Sequence, residues 1–284
     1  MSIRSIVRKQ IRGASWQNPV LGAVIRAIDP LDYVVRVVKS RHDLPKYSIR
    51  VRSAGVSQDI GGKHFEDEGN LIAGLLQTHA ALSPSSKVLE IGCGCGRTAF
   101  ALANYLHDGN FAGMDIERVT LGSAQNNALF QRKGFKFELL DIRNDLYNPQ
   151  GRYLASEYVL PYPDQSFDVV LLLSVFTHML TDEVRNYAKE IARVLKPGGR
   201  CLFSAFLLDR DMAKQFPFHS QEHSYEVEAV PGIAVAYNAG FFISTFASNE
   251  VSLSVGPLFG TVHGPLATTT EYQDILVFTK AASA

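Results

Sequence analysis

The chain has 284 residues, of which 46% are hydrophobic and 20% are charged, and its formal net charge is zero. A chain of this size can bury a large core, either as one domain or as one domain with a cap. The composition excludes a largely disordered protein, and zero net charge provides no overall attraction to nucleic acid.

The charge is unevenly distributed along the chain. Residues 1–52 hold eleven Lys and Arg against three Asp, a net charge of +8, and the remaining residues therefore carry −8. Near the start, Ile3, Ile6, Val7 and Ile11 fall on one helical face with basic residues around it. This pattern predicts a surface helix with a solvated basic side, and a membrane-surface helix and a transit peptide are the alternatives.

The number of cysteines and the length of the apolar runs indicate the cellular compartment. Three cysteines, two of them in one glycine-rich loop, do not make a disulfide framework and favour a reducing compartment. No apolar run has the length needed to span a bilayer, and the N-terminus lacks the long apolar core and cleavage site of a secreted protein. We therefore expect a cytoplasmic protein.

The first fifty residues are predicted to be helical in pieces, which are broken near Pro19, Pro30 and Pro45. Tyr47, Ile49 and Val51 alternate with polar residues, which predicts a short strand. A helix is predicted over residues 66–82, with a stripe formed by Leu71, Leu75 and His79.

From residue 87 onward, strands alternate with helices. Strands are predicted over residues 88–91, 111–115, 135–140, 167–173, 201–207 and 274–279, and helices over 97–106, 121–133 and 182–195. This alternation implies right-handed crossovers and a parallel sheet that is covered on both faces. The segment from 208 to about 250, rich in His and aromatic residues, interrupts the alternation and is predicted to be a cap or insertion beside the site.

A glycine-rich turn joins the first of these strands to a helix that starts at Arg97. Such a turn brings the backbone close to a ligand and offers unpaired N–H groups to an anionic group, as in dinucleotide and S-adenosylmethionine sites. Counted from Gly92, the third glycine of a dinucleotide fingerprint would stand at Arg97, but it stands at Gly96. Glu90 would repel a pyrophosphate and suits a ligand with a cationic amino-acid end.

Acidic residues also end the next two predicted strands. Asp115 stands 23 residues after Gly92 and can accept hydrogen bonds from both ribose hydroxyls. Asp141 is placed to accept a hydrogen bond from an adenine amino group. Since open α/β sheets bind ligands beyond the carboxyl ends of their strands, Glu90, Asp115 and Asp141 predict one site, although each Asp alone has a turn-residue interpretation.

These motifs together resemble the class I S-adenosylmethionine-dependent methyltransferases, over roughly residues 60–280. The segments that carry the resemblance are 88–97, 114–116, 160–168 and 194–199. The resemblance implies a Rossmann-like α/β fold with a seven-stranded sheet whose last strand is antiparallel. It implies S-adenosylmethionine as cofactor and S-adenosylhomocysteine as product.

The same resemblance assigns the cofactor-binding residues. Glu90, Gly92, Gly94 and Gly96 would surround the methionine part, Asp115 would bind the ribose, and Asp141 with Ile142 would bind the adenine. Ser174 would lie near the methionine end, and the remaining expected cofactor-binding residues are Cys93, Arg97 and Ile116. Residues 147–149, 174–179 and 272–274 further resemble bacterial methyltransferases found near sugar and natural-product pathways.

A hydroxyl acceptor requires a base, and His178, after the fourth strand, is the candidate. The alternative is a structural histidine that caps the next helix or lines the pocket. His219, His223 and Tyr225 are predicted to bind substrate. The spacing of the two histidines suits one helix face, but without a third ligand nearby no metal site is predicted.

We expect a basic helical extension over residues 1–60 and a methyltransferase domain over 61–284, with the insertion at about 208–250. The expected reaction is methyl transfer to a small-molecule acceptor at a hydroxyl oxygen. N- or C-methylation and a non-catalytic S-adenosylmethionine-binding protein are the alternatives. No nucleic-acid partner is expected, because residues 174–177 differ from an Asn-Pro-Pro-aromatic motif. A weak membrane-surface contact and a homodimer, both through the N-terminal helices, are left open.

Overall fold

The computed structural model describes residues 19–55, 58–208, 216–225, 232, 234–262 and 273–282. Two sequence predictions lie outside these ranges. They are the amphipathic pattern of the first dozen residues and, within the resemblance to bacterial methyltransferases, residue Tyr272. No described helix combines the length and the apolar character that a membrane-spanning segment requires.

Within the described residues, four helices precede the first strand, and the first three are α1 (Pro19–Ala27), α2 (Asp29–Val38) and α3 (Tyr47–Ala54). The strand predicted from Tyr47, Ile49 and Val51 is wrong, since these residues lie in α3. The cause is a tertiary contact, because Asp32 accepts a hydrogen bond from the Tyr47 N–H at 3.0 Å and Asp29 accepts one from the Ser48 N–H at 2.8 Å. These carboxylates satisfy the open N–H groups of the first turn, which stabilises a helix.

Helix α4 (Lys63–His79) follows, and its buried face differs from the predicted stripe. The face contains Ile72 and Leu76, whereas Leu71 is 45% exposed. The reason is a close helix contact at Gly69, where a Cβ atom would lie 2.9 Å from the Arg97 carbonyl oxygen. This contact turns the Gly69 side of α4 towards the helix that begins at Arg97.

Among the described residues, seven strands form the main sheet. They are β1 (Val88–Ile91), β2 (Phe111–Asp115), β3 (Lys136–Leu139), β4 (Phe167–Leu172), β5 (Leu195–Leu207), β9 (Val251–Val262) and β10 (Gln273–Lys280). The order is β3-β2-β1-β4-β5-β10-β9, in which β10 runs antiparallel to both neighbours and β1 to β5 are parallel. The predicted α/β fold with a parallel central sheet and an antiparallel last strand is confirmed.

The helices between the strands are α5 (Arg97–Leu102), α6 (Arg118–Gln125), α7 (Ala128–Arg132), α8 (Thr181–Val194) and α9 (Ala239–Ala247). The single helix predicted over residues 121–133 is interrupted at Asn127. The Asn127 side chain accepts hydrogen bonds from the N–H groups of Leu129 and Phe130 and thereby caps a new helix. Strand β9 is missing from the sequence prediction, and β5 begins six residues before the predicted Cys201.

The interrupting segment, 208 to about 250, divides into two parts. Three short strands, β6 (Phe218–His219), β7 (His223–Tyr225) and β8 (Val235–Tyr237), extend the sheet from the end of β5, where Phe206 pairs with Ala236. Helix α9, in contrast, buries Phe242 and Phe246 against the rings of Phe203 and Phe278 in the main core. The second part is therefore a core element rather than a cap.

Candidate cofactor and acceptor site

The glycine-rich loop between β1 and α5 uses its backbone N–H groups internally. All five N–H groups of residues 92–96 donate within the protein. Their acceptors are the Met114 carbonyl (2.8 and 3.0 Å), Asp115 Oδ2 (2.7 Å), Ser53 Oγ (3.3 Å) and the Cys93 carbonyl (2.9 Å). The expectation that this loop offers unpaired N–H groups to an anionic group is therefore wrong. The loop fits a ligand other than a pyrophosphate.

Two glycines of the loop are required by the elements packed against it. Gly92 has φ +77° and Gly94 has φ +54°, both in the left-handed region. A Cβ atom at Gly92 would collide with Val175, and one at Gly94 would collide with Ser53 Oγ. The loop is thus enclosed by the segment after β4 on one side and by the end of α3 on the other.

Glu90 provides the clearest evidence for a ligand at this loop. Its side chain is 4% exposed, and Oε1 accepts a hydrogen bond from the Thr98 hydroxyl at 2.7 Å. Oε2 is buried and has no hydrogen-bond partner in the described part of the chain. Burial raises the pKa of Glu90 to about 8, despite the Thr98 hydrogen bond and the Arg97 charge. A ligand ammonium group would satisfy Oε2, so the residues present fit the amino-acid end of S-adenosylmethionine.

Asp115 ends β2 and lies beside the loop. Its Oδ2 accepts the hydrogen bond from Gly94, and its Oδ1 accepts one from the Glu117 N–H at 2.8 Å. Burial raises the pKa of Asp115 to about 6, although both N–H groups favour the ionised form. Since each carboxylate oxygen can accept more than one hydrogen bond, capacity for ribose hydroxyls remains. Ile116, the next residue, is half-buried and packs against the main core.

Glu117 and Arg52 belong to the same region and are absent from the sequence prediction. Glu117 caps α6 by accepting from the Val119 and Thr120 N–H groups. It also pairs with Arg52, 2.7 Å from Nη2 to Oε1. Burial works against the charge of Glu117, but Arg52 and Thr120 outweigh it and hold its pKa below the ordinary value. In the sequence, the position of Glu117 shortly before a predicted helix was the signal that could have indicated this cap.

Asp141 lies two residues beyond the end of β3, at the same edge of the sheet. Its Oδ2 accepts a hydrogen bond from Arg152 Nε at 2.6 Å, and its side chain is 40% exposed. This hydrogen bond lowers the pKa of the carboxyl group. The following Ile142 is buried and forms a bridge with Tyr153. The adenine role of Asp141 stays a prediction, and the sequence analysis missed its partner Arg152.

Ser174 begins the segment that closes over the loop. Its backbone N–H donates to Ser204 Oγ at 2.8 Å, and its hydroxyl donates to Gln273 Oε1 at 3.0 Å. Ser174 itself has φ +58°. This network connects the ends of β4, β5 and β10 behind the loop and places Val175 against Gly92.

The other expected cofactor-binding residues have structural contacts. Cys93 and Cys95 are buried, and burial raises the pKa of both thiols, which keeps them neutral. The Arg97 side chain turns to α4 and pairs with Glu68 at 2.6 Å. Cys93, Cys95 and Arg97 thus shape the loop and hold its surroundings.

His178 ends a short 3-10 helix, Phe176–His178, that follows β4. Its Nδ1 lies 3.3 Å from the Gly232 carbonyl oxygen. Because a carbonyl can only accept, Nδ1 carries the proton in this contact and the lone pair resides on Nε2. At the start of α8, Glu183 accepts the Leu180 N–H at 2.7 Å, and the roles of His178 as base or as structural histidine both stay predictions.

Tyr147 connects the two parts of the site. Its ring contacts the ring of His178 edge-on, with 5.5 Å between the centroids. Burial, together with the charges of Asp115 and Glu117, raises the pKa of Tyr147 to about 12, so the phenol keeps its proton. Tyr147 therefore lies between the acids expected at the ribose and the proposed base, a placement that the sequence alone does not give.

The three predicted substrate residues lie on the β6–β7 hairpin. The helix-face spacing of His219 and His223 is wrong, because the two residues lie on adjacent antiparallel strands. His219 is exposed and hydrogen-bonds Ser224, whereas burial lowers the pKa of His223. The Tyr225 ring stacks on Phe218. Within the described ranges, no group of three His, Cys, Asp or Glu side chains is arranged to hold a metal ion.

The hairpin is connected to the neighbourhood of His178 through β8. The Tyr237 hydroxyl donates to the Met179 carbonyl at 2.8 Å, and the His223 ring contacts the Tyr237 ring at 5.7 Å. His223 Nδ1 also lies 2.9 Å from Thr181 Oγ1, at the start of α8. The hairpin therefore borders the segment that carries His178.

The loop, the acidic strand ends and His178 lie within one matched segment. Residues 89–203 match the family model described as a methyltransferase domain. The segment is thus similar to methyltransferase domains, and this match supports S-adenosylmethionine as cofactor and S-adenosylhomocysteine as product.

Curated relatives of this chain are named for different acceptors. The chain is 33% identical over 137 residues to 27-O-demethylrifamycin SV methyltransferase from Amycolatopsis mediterranei, covering 48% of this chain and 43% of that protein. It is 30% identical over 126 residues to tRNA N(3)-cytidine methyltransferase METTL2 from Gallus gallus, covering 42% and 30% respectively. The chain thus spans less than half the length of these relatives.

Solved structures share the fold. The PH0226 protein from Pyrococcus horikoshii OT3 has a TM-score of 0.54 at 18% identity, covering 81% of this chain and 97% of that one. Magnesium protoporphyrin IX methyltransferase from Synechocystis PCC 6803, solved with bound S-adenosylmethionine, has a TM-score of 0.50 at 18% identity, covering 87% and 97%. At this level of identity the similarity concerns the fold.

Proposed function

We propose that the protein transfers a methyl group from S-adenosylmethionine to a hydroxyl oxygen of a small molecule of the sugar or natural-product type. The observation that carries this proposal is the position of His178, which follows the segment enclosing the glycine loop and has its Nδ1 beside the Gly232 carbonyl oxygen. The proposal includes a cytoplasmic location, on the basis of three free, buried thiols.

The cofactor would be held by residues of three strand ends. Glu90 would receive the ammonium group at Oε2, Asp115 would receive the ribose hydroxyls, and Asp141 with Ile142 would border the adenine. Ser174 and the glycine loop would shape the methionine end. When bound, S-adenosylmethionine supplies an electrophilic methyl group on sulfur.

His178 would act as the general base for the acceptor. Its Nε2 would take the hydroxyl proton as the acceptor oxygen bonds to the methyl carbon, the carbon–sulfur bond breaks and S-adenosylhomocysteine is released. Nδ1–H would keep its hydrogen bond to Gly232 throughout. This hydrogen bond stabilises the imidazolium that forms. Tyr147, which stays protonated, packs against the ring and limits its rotation. Positioning of the acceptor would supply most of the remaining rate enhancement.

The acceptor side would be formed by the hairpin with His219, His223 and Tyr225. Two contacts support this assignment, the Tyr237 hydrogen bond to Met179 and the His223 contact with Thr181. By their names, one relative methylates 27-O-demethylrifamycin SV and the other methylates cytidine of tRNA. We favour the small molecule because the chain beyond residue 52 carries a net charge of −8, which disfavours a nucleic-acid surface.

The test is a methyl-transfer assay with isotopically labelled S-adenosylmethionine and panels of hydroxyl, amine and carbon acceptors, with tRNA as a further panel member. We expect an O-methylated small molecule, and His178→Ala should lower kcat by about 10²–10⁴-fold with little change in S-adenosylmethionine affinity. The matched control is His107→Ala, which removes an exposed histidine outside the proposed site and should leave kcat within about threefold.

Other results would redirect the proposal. A methylated tRNA, amine or carbon acceptor would replace the O-methylation assignment. An unchanged kcat in His178→Ala would remove its role as base. Tight cofactor binding without turnover on any panel would favour the non-catalytic alternative.

A further inference from the structure

Helix α2 has its charged side chains inside and its apolar side chains outside. Asp32 and Arg36 are 0% and 5% exposed, and both belong to a buried ion-pair network with Arg50. Asp32 also accepts a hydrogen bond from the Gly61 N–H at 2.9 Å. A surface helix normally shows the reverse arrangement, because burying charge costs free energy and exposing apolar area gains none. The outward side of α2 therefore has the composition of a buried face.

This outward side continues onto α1. Only Ile28, in helical conformation, separates the two helices, and the Asp32 N–H donates to the Ile28 carbonyl at 3.0 Å across the junction. Exposed valines and a leucine recur at spacings of three, four or seven residues, which places them on one side of the helices. We name this surface the α1–α2 face, formed by Val20, Val24, Leu31, Val34, Val37 and Val38, which are 46–78% exposed.

The charged groups around the α1–α2 face are cationic. Arg26 and Lys39 are exposed, and the Lys46 side chain is 53% exposed. The acidic residues of this region are held inward, with the Asp29 side chain 17% exposed beside Ser48 and Lys46. Arg26 and Lys46 also line one depression, together with Arg52 and Ser48, where Lys46 lies 3.7 Å from Asp29 and Arg52 is paired with Glu117. Arg26 and Lys39, which are exposed at the C-terminal ends of α1 and α2, form the basic rim of the apolar face.

We propose that the α1–α2 face docks on an anionic lipid bilayer, with the apolar side chains in the interfacial region and the rim cations at the lipid phosphates. Apolar area and basic charge on one helix surface are the two features that give interfacial binding. Contiguous exposed apolar area of this kind marks an interaction surface.

Two other occupants of the α1–α2 face, a second copy of the chain and the chain's own residues 1–18, are disfavoured by charge. A second copy of the chain would bring two basic rims, each part of a segment with net charge +8, into contact. The chain's own residues 1–18 carry Arg4, Arg8, Lys9 and Arg12 and no acidic residue, so they would add like charge beside the rim. An anionic bilayer neutralises the rim while it covers the apolar side chains.

The experiment is co-sedimentation of the full chain with vesicles of phosphatidylcholine alone and of phosphatidylcholine mixed with phosphatidylglycerol. The test variant is Leu31→Asp with Val34→Asp. The matched control is Leu154→Asp with Val159→Asp, which makes the same two changes at residues that are 50% and 66% exposed elsewhere. All four positions are exposed, so circular dichroism should show unchanged folding.

We expect binding to the anionic vesicles that decreases as salt is raised, with little binding to phosphatidylcholine alone. The test variant should lower the partition coefficient at least about tenfold, and the control variant should stay within about twofold of the wild type. The proposal is overturned if the wild type does not bind anionic vesicles. It is also overturned if the test variant binds as well as the control, or if light scattering shows a dimer that only the test variant dissociates. None of these readouts depends on methyl transfer.

Discussion

Arg52 donates a hydrogen bond to Glu117, with 2.7 Å between Nη2 and Oε1, and this ion pair joins α3 to the loop that follows β2. The two side chains are 22% and 11% exposed. The backbone N–H of Glu117 in turn donates to Asp115. The N-terminal helices are therefore connected, through Arg52 and Glu117, to the expected ribose-binding residue.

Removing this ion pair should weaken cofactor binding. Arg52→Ala and Glu117→Gln should each lower S-adenosylmethionine affinity by about tenfold, because the position of the 115–117 loop depends on both partners. The double variant should lose little more than either single variant. Calorimetric titrations of the four proteins give the coupling free energy, which we expect to be at least about 0.5 kcal/mol. Additive losses would show that the two side chains act independently.

Glu90 should release a proton when the cofactor binds near pH 7. Its pKa of about 8 means that it is mostly protonated in the free protein, whereas Asp115, with a pKa of about 6, is already mostly ionised. The cofactor ammonium favours the Glu90 carboxylate, so affinity should rise with pH towards the pKa of the free protein. Titrations in buffers with different ionisation enthalpies measure the released protons.

The matched variant for this measurement is Glu90→Gln. It keeps the Thr98 contact but has no proton to release, so the enthalpy should no longer depend on the buffer. Equal proton release in Glu90→Gln and in the wild type would assign the proton to another group.

Gly94→Ala should destabilise the fold by both backbone and side-chain effects. Alanine at φ +54° costs about 1–2 kcal/mol, and its Cβ would also collide with Ser53 Oγ. Adding Ser53→Ala should recover part of the loss because it removes the colliding atom. Urea unfolding measures each variant.

Gly109→Ala is the control for the backbone effect. Gly109 has φ +76°, and a Cβ atom there would meet nothing within 4 Å. We expect Gly109→Ala to cost less than Gly94→Ala. An equal loss at both positions, with no recovery by Ser53→Ala, would contradict the close contact between α3 and the loop.

Asp32→Asn should cost about 3–5 kcal/mol of unfolding free energy, because it leaves buried guanidinium groups without their carboxylate. Burial opposes the charge of Asp32, but the hydrogen bonds from Arg50, Gly61 and Arg36 outweigh it and lower its pKa. A carboxyl group with a lowered pKa contributes stability that is fully present above its ordinary value and is lost as pH falls through the lowered one.

The control is Asp67→Asn, which breaks an exposed ion pair with Lys63 and should cost less than about 1 kcal/mol. Urea midpoints at neutral and acidic pH measure both effects. The difference between Asp32→Asn and the wild type should shrink at the lowest pH. A small loss for Asp32→Asn at neutral pH would contradict the importance of the buried network.

The sequence was sufficient for features that depend on local pattern. The apolar run of β4 and the strand–glycine–helix order around Gly92 predict their elements without tertiary information. The edge position of Asp115 then follows, since parallel strands place their carboxyl ends together.

The sequence was insufficient where contacts between residues far apart in the chain determine the local structure. Helix α3 forms because Asp29 and Asp32 cap it from another helix. The pairing of Arg152 with Asp141 and the position of Tyr147 between Asp115 and His178 depend on how irregular segments fold back. The N–H groups of the glycine-rich loop donate hydrogen bonds to Ser53 and Met114, which lie far from the loop in sequence.

The most direct test of the central claim is calorimetric titration of the purified protein with S-adenosylmethionine, beside Asp115→Ala and with NAD as the control ligand. We predict micromolar binding of S-adenosylmethionine, a loss of about hundredfold or more in Asp115→Ala, and no binding of NAD. A folded protein that fails to bind S-adenosylmethionine, or that binds NAD instead, would contradict the assignment of the site formed by Glu90 and Asp115.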